Sequence, residues 1–313
     1  MKIRLGYVSI SKALDVTPSG TITYTNYNNS LNKNEKLNLV INSNFKSLIE
    51  ILKYNIKNNL HFYRLTSKLI PLATHKDVDF EYIDKYKKYY KIVSDLIRKN
   101  KMRVDVHPDQ FCVLNSVNKD VLNNSYLILE YHYKILSELK IENPIIILHV
   151  GSSVFGKEKS IERFKSNFKK LPIYIQKCIA IENDDKIYNA LDVLNLCKEL
   201  DIPMVLDYHH HICNPCSENI ENYLNDIFDT WKLNIPKFHF SSPKNKTKKE
   251  FRSHNDYIDS DKFVEFVTIL KKFNKDIDIM LEAKAKDDAL FRLVRQLKYK
   301  TNYNFIDEST FIV

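Results

Sequence analysis

Eight short runs of β-branched and aromatic residues recur along the chain, at 3–9, 60–65, 103–107, 145–149, 178–182, 203–207, 237–241 and 278–282. Between them lie longer stretches with apolar residues three and four apart, the spacing of an amphipathic helix: Leu48, Ile51 and Leu52; Ile92, Val93, Leu96 and Ile97; Leu129, Tyr133 and Leu136; Leu191, Leu194 and Cys197. Strands that alternate with helices build a parallel sheet, and eight such units predict closure into a TIM (β/α)8 barrel. A doubly wound open sheet is the competing architecture. The 313 residues suit two domains of about 150 residues or one barrel of about 250 or more, and the eightfold count favours a single barrel domain over 1–313. Glycine is scarce, so helix ends are weakly marked, but Pro144, Pro203 and Pro236 stand at or just before strands and Pro172 a few residues before another. The polar stretch 11–37 reads as a long loop after the first strand.

Composition removes several classes. Hydrophobic residues make up 44%, enough for a large core, and no apolar run approaches the ~20 residues that span a bilayer. Charges interrupt the N-terminal MKIRLGYVSISKAL, so no secretory signal is expected and a cytoplasmic location is. Five cysteines, at 112, 178, 197, 213 and 216, argue against a disulfide framework. Neither GxGxxG nor GxxxxGK[ST] occurs, so no glycine-rich phosphate loop is expected. The 48 Lys and Arg against 39 Asp and Glu leave a formal net charge of +9, which favours an anionic partner.

Chemistry concentrates where the runs end. His107, His149, Glu182, Asp207 and Glu282 close five of them, and His239 sits near the end of a sixth. In a parallel barrel those ends share one face, the one that carries active sites. Six imidazoles and carboxylates converging there predict a divalent metal site, with mixed ligands that suit Mn2+, Zn2+ or Fe2+. Loops extend the set. His75 follows the second run and His254 the seventh, and His210 stands three residues after Asp207, where the chain can turn back. His209 and His211 are weaker candidates, and His61 and His132 read as structural.

Residues two apart on a strand face the same side, so Lys237 accompanies His239 into the barrel. Its ammonium must then avoid the metals, deprotonate, or become a carboxylated lysine that bridges two of them. The tail KNKTKKEFRSH places Lys244, Lys246, Lys248, Lys249 and Arg252 on the metal-bearing face, where they suit contacts to a phosphate backbone. Metals beside a basic rim point to phosphodiester hydrolysis. The single CNPC pair, Cys213 and Cys216, is a weak signal for zinc or redox chemistry.

RLGYVSIS, HFYRLTSKLIPLATH, RVDVHPDQF, LHVGSS, AIENDDK, VLDYHHH, KFHFSS and LEAKAKD, in that order from residue 3 to about 290, resemble the UV damage endonucleases. The resemblance implies a TIM barrel related to endonuclease IV and xylose isomerase, and a repair enzyme that nicks double-stranded DNA immediately 5′ to UV photoproducts and some other lesions, leaving 3′-hydroxyl and 5′-phosphate ends. It implies up to three metal ions, usually Mn2+, on His75, His107, His149, Glu182, Asp207, His210, His239, His254 and Glu282, and a carboxylated lysine at Lys237. Gln110 and Phe111 would stand opposite a flipped-out lesion, with Tyr7 near the damage pocket; the family often has Asn where this chain has Ser11.

The leading expectation is therefore a metal-dependent DNA repair endonuclease with Lys237, Glu182 and Glu282 at the chemistry and no obligate protein partner. A sugar isomerase or epimerase on the same barrel, and a non-catalytic nucleic-acid binder stabilised by zinc at Cys213 and Cys216, are the alternatives.

Overall fold

The computed structural model describes residues 1–245, 247 and 250–313, so Lys246, Lys248 and Lys249 lie outside the described residues. All eight expected strands form: β1 (Lys2–Val8), β2 (Phe62–Leu65), β3 (Arg103–Val106), β4 (Ile146–His149), β5 (Ile179–Glu182), β6 (Met204–Asp207), β7 (Lys237–Phe240) and β8 (Ile277–Leu281). They pair in parallel in chain order, and β1 closes the ring by pairing with β8 (Ile3↔Ile277) and β2 (Gly6↔Phe62). Closure makes this a single TIM barrel and excludes the open sheet. Gly6 is needed at the seam, because a Cβ there would sit 2.6 Å from the Phe62 ring and from its carbonyl oxygen.

Helices fill the crossovers where the apolar spacing placed them. Their starts are capped by side chains: Asn118 accepts from Asp120 and Val121 N–H, and Asn189 with Asp192 forms a reciprocal capping box. With few glycines, left-handed positions that follow helices fall to residues such as Asp201 and Asn274 (φ 56 and 48°).

Two regions depart from expectation. The stretch 11–37 is not all loop: it contains a helix at Tyr24–Asn28 and the start of a long one, Lys33–Lys57. The polar exposed face of LNKNEK hid that start; the buried residues Leu37, Ile41, Phe45, Leu48 and Ile51 recur at helical spacing. A C-terminal ribbon, β9 (Asn304–Phe305) and β10 (Thr310–Ile312), adds to the eight expected strands. β10 runs antiparallel to Lys2–Arg4, occupying the edge of β1 that β2 takes over from Gly6 onward.

The two-residue period sorts each strand. Ile3, Leu5 and Tyr7 of β1 join the layer under the helices, while Arg4 faces inward and meets Asp278 of β8. Ile147, Ala180 and Val205 form a small apolar plug inside the barrel with Ile145 and Trp231. Arg4, Arg64, Arg103, Asp105, Lys237 and Asp278 place charge along the barrel axis beside the inward-facing Phe62. Among the described residues no helix is long and apolar enough to cross a membrane.

Candidate metal centre

The inward columns deliver His149, Glu182 and Asp207 as the last residues of β4, β5 and β6, and His239 as the third of β7. His107 and Glu282 follow β3 and β8 directly. His210 arrives differently: the Asp207 carboxylate caps the short helix Tyr208–Cys213 by accepting from the His210 N–H at 2.7 Å, which folds that imidazole back over the barrel. The Nδ1 of His210 is 3.0 Å from the Asn183 carbonyl, and that of His107 is 2.9 Å from the Pro108 carbonyl. For His107, donation from Nδ1 leaves Nε2, which faces Glu182, with the lone pair that ligates metals, whereas in His210 Nδ1 itself also faces the carboxylates, 3.3 Å from Glu182 Oε1.

Three overlapping groups result: His107, His149 and Glu182; Glu182, Asp207 and His210; Asp207, His239 and Glu282. In each, the ligand atoms lie within 4.8 Å of one another. Glu182 and Asp207 are each shared by two groups. His107 Nε2 is 3.1 Å and His239 Nδ1 3.0 Å from Glu182 Oε2. Burial alone would raise the Glu182 carboxyl, but His239, His149, His107 and His210 hold it well below the usual range; for Glu282, His239 and Arg64 outweigh burial in the same way. Burial lowers the pKa of His149, favouring its neutral, ligating form. Burial also opposes protonation of His210, yet Asp207 and Glu182 push it up to about 11.

The donor set fits a divalent metal on one further observation. Asp207 Oδ2, His149 Nδ1 and His239 Nδ1 are buried and make no hydrogen bond among the described residues, His239 Nδ1 lying 3.0 Å from Glu182 Oε2 without hydrogen-bond geometry. Buried polar atoms are rarely left this way, because each forfeits its hydration without replacement. Three of them in one cluster are what ligands prepared for a cation would show.

Beneath the cluster lies a layer of charge that position at a strand end does not reveal. Arg64, a lone charge in the middle of HFYRL, donates to Asp105 Oδ1 at 3.0 Å and Glu282 Oε1 at 2.5 Å, and its Nη2 meets His239 Nε2 at 2.5 Å. Lys237 is fully buried and donates to Asp105 Oδ2 at 2.5 Å. Burial lowers its ammonium to about 7, against the pull of Asp105.

Other expected residues fall outside the groups. His75 stacks on Tyr24, ring centroids 4.1 Å apart, and stands apart from the cluster. His254 is closer, its Nδ1 3.9 Å from Glu282 Oε2. Gln110 and Phe111 are exposed on the loop after β3, Phe111 by 65%. Tyr7 faces the helices, has no exposed surface and donates to Asn55 Oδ1 at 2.7 Å, so it supports the wall of the barrel. Ser11 is buried too, donating to Asp287 at 2.6 Å. In the basic tail, Lys244 pairs with Glu250, and Arg252 lies 3.7 Å from Asp185. Cys213 and Cys216 join no metal group among the described residues; Cys216 accepts from the Leu191 N–H. His61 pairs with Asp307 and His132 is buried in its helix, both structural as expected.

Fold and cluster together define a TIM barrel with a candidate metal centre at the C-terminal ends of its strands. The chain belongs to the UV-endonuclease UvdE family, whose profile matches residues 3–310. It is 44% identical over 304 residues to a UV DNA damage endonuclease of Bacillus cereus (strain B4264), covering 95% of each chain. A UV DNA damage endonuclease of Bacillus anthracis is 41% identical over 317 residues, covering 99% of each. The crystal structure of SacUVDE superposes with a TM-score of 0.86 at 34% identity, over 95% of this chain and 98% of that one. Endonuclease IV from Thermus thermophilus, with a TM-score of 0.59 at 12% identity over 95% of this chain and 98% of that one, shares the fold. The protein is thus an endonuclease of DNA repair, which sets aside the isomerase and the zinc-stabilised binder.

Proposed function

We propose that the protein incises double-stranded DNA immediately 5′ to UV photoproducts, and at abasic sites, in a metal-dependent reaction that leaves 3′-hydroxyl and 5′-phosphate ends. The observation that carries this reading is the set of three ligand groups sharing Glu182 and Asp207, on the barrel face that also exposes Phe111. His107, His149, Glu182, Asp207, His210, His239 and Glu282 would hold up to three Mn2+ ions, with His254 and His75 joining from their loops. Divalent cations there supply Lewis acidity for a nucleophilic water and charge neutralisation for the phosphodiester. The chain does the rest. Arg64 fixes Glu282 from below, the Pro108 carbonyl sets the tautomer of His107, the Asn183 carbonyl orients the His210 ring, and the buried wall excludes bulk water.

Gln110 and Phe111 would enter the duplex at the lesion. An exposed ring gains by stacking where damaged bases have left the helix, and damage lowers the cost of extruding them. Lys244, Lys246, Lys248, Lys249 and Arg252 would follow the phosphate backbone. Lys237 would take part as a carboxylated lysine or as the ammonium partner of Asp105; native mass spectrometry distinguishes them by the mass of one CO2. The reading places the enzyme in the cytoplasm, acting without an obligate protein partner.

The test is Mn2+-dependent nicking of supercoiled plasmid, comparing UV-irradiated, depurinated and untreated DNA. Nicking of irradiated plasmid with untreated plasmid left closed supports the proposal. Cutting confined to depurinated DNA overturns the photoproduct specificity, and no cutting by metal-loaded protein overturns the incision itself.

A further inference from the structure

A cavity of about 620 Å3 opens over the barrel mouth, lined by His107, His254 and Glu282 together with Arg252, Lys284 and Lys286. The cations of this region differ in how they are used. Arg64 is engaged by Asp105 and Glu282, Lys244 by Glu250, and Arg252 lies near Asp185. The half-buried Lys286 has an ammonium with no hydrogen-bond or ion-pair partner among the described residues.

Its backbone is held in a costly shape. Lys286 has φ +56°, the left-handed region that disfavours side chains, one of eleven non-glycine residues so placed among the described residues. The surroundings enforce that shape. The buried Asp287 carboxylate accepts from Ser11 Oγ (2.6 Å), Lys12 N–H (2.6 Å) and Ala13 N–H (3.3 Å), and Lys284 and Ala285 N–H groups bond the Asn255 and Asp256 carbonyls at 3.0 Å. These bonds tie the loops after β1 and β7 to the segment after β8 and hold the Lys12 backbone against Asp287, the residue after Lys286. Lys286 thereby stands on a fixed rim of the cavity the substrate must enter, with Lys12 on the tethered neighbouring loop.

We propose that Lys286 binds a backbone phosphate adjacent to the one being cleaved, with Lys284 and Lys12 at its margin and Asp287 as the positioning residue that builds this second phosphate site. The inference rests on the proposed incision of DNA. If the ligand cluster engages the scissile phosphate, the neighbouring phosphate of the same strand falls within the same cavity, where it can serve Lys286 as counter-ion. The residue adds affinity and register, and takes no part in bond breaking.

Lys286→Gly removes the ammonium and relieves the left-handed backbone, so loss of folding would not explain its effect. Binding to a lesion-bearing duplex with a phosphorothioate at the scissile position should weaken across sequences, and the slope of log K against log [salt] should fall by about 0.9, the signature of one lost phosphate contact. KM should rise more than kcat falls, Lys286→Arg should restore most of the slope, and metal content should stay at the wild-type level. Lys46→Gln, an exposed lysine on the helix Lys33–Lys57, should change none of these. An unchanged salt slope in Lys286→Gly overturns the inference, as does a loss of metal. Failure of the wild-type protein to bind or cut lesion DNA would instead defeat the functional reading beneath it.

Discussion

Both ends of the barrel interior bury charge, and they treat it in opposite ways. At the N-terminal end, Asp278 takes Arg4 Nε and Nη2 at 2.6 and 2.7 Å and Arg103 Nη1 at 2.6 Å. Arg103 also donates to the Ile235 carbonyl at 2.8 Å and stacks over Trp231. Both carboxylate oxygens are used, and the cations outnumber the anion. At the C-terminal end Glu182, Asp207 and Glu282 stand among four histidines, with Asp207 Oδ2, His149 Nδ1 and His239 Nδ1 unpartnered. Buried charge alone therefore does not mark a site. Buried charge with ligand atoms left over does, because an unpaired buried group is costly unless something outside the chain completes it.

The largest expected effect is at the open end. Glu182→Gln removes a carboxylate common to two ligand groups and should lower kcat/KM for incision about a thousand-fold or more, several kcal/mol of charge stabilisation, with a matching fall in metal per chain by elemental analysis. The mirror experiment is Asp278→Asn. Leaving Arg4 and Arg103 without their shared anion should cost about 3–5 kcal/mol of unfolding free energy in denaturant titrations while metal content stays intact. Loss of metal in Asp278→Asn would erase the distinction between the two ends.

Exposed apolar side chains sharpen the contrast. Phe111 at the mouth is 65% exposed, and Leu233 beyond the opposite end is fully exposed. Phe111→Ala should weaken binding of lesion DNA by about 1–3 kcal/mol, the worth of one base–aromatic stack, and leave stability unchanged. Leu233→Ser should alter neither binding nor stability.

The smallest effect is a proton count. Without metal, Asp207 and Glu182 keep His210 protonated at neutral pH, its pKa pushed up to about 11. Metal loading must expel that proton, so affinity should rise with pH, and calorimetry in buffers of different ionisation enthalpy should show net release at about pH 7.5. The linkage runs the other way for the metal-free fold. A pKa raised above the unfolded value of about 6.5 gives stability that is full below that pH and fades as pH climbs toward the folded value. Thermal melts of the stripped protein should fall from about pH 7 to about pH 10, and a flat profile would mean that His210 is neutral.

How much of this was legible depended on whether a residue's role follows from position along its strand. The eight strands and the residues of the candidate ligand groups at their ends could be read because barrel parity and direction are local consequences of sequence. His210 was legible from the turn after Asp207. Arg64 and Asp105 were not, although Arg64 interrupts an apolar run; nothing local says that the two meet across neighbouring strands beneath Glu282 and His239. The motif around Tyr7 points it to the lesion, but its odd-numbered place in β1 sends it to the helices. The loop expected over 11–37 conceals helical turns whose buried residues begin only at Leu37, apart from Tyr27.

The sequence by itself determined the barrel, the face that bears chemistry and the residue types available there, since hydrophobic period and strand-end placement are encoded within a few residues. Tertiary structure alone decided which of those side chains share a ligand group, which cations find an anion and which atoms stay unpaired. Those outcomes depend on distances between residues tens to hundreds of positions apart, set only when the ring closes.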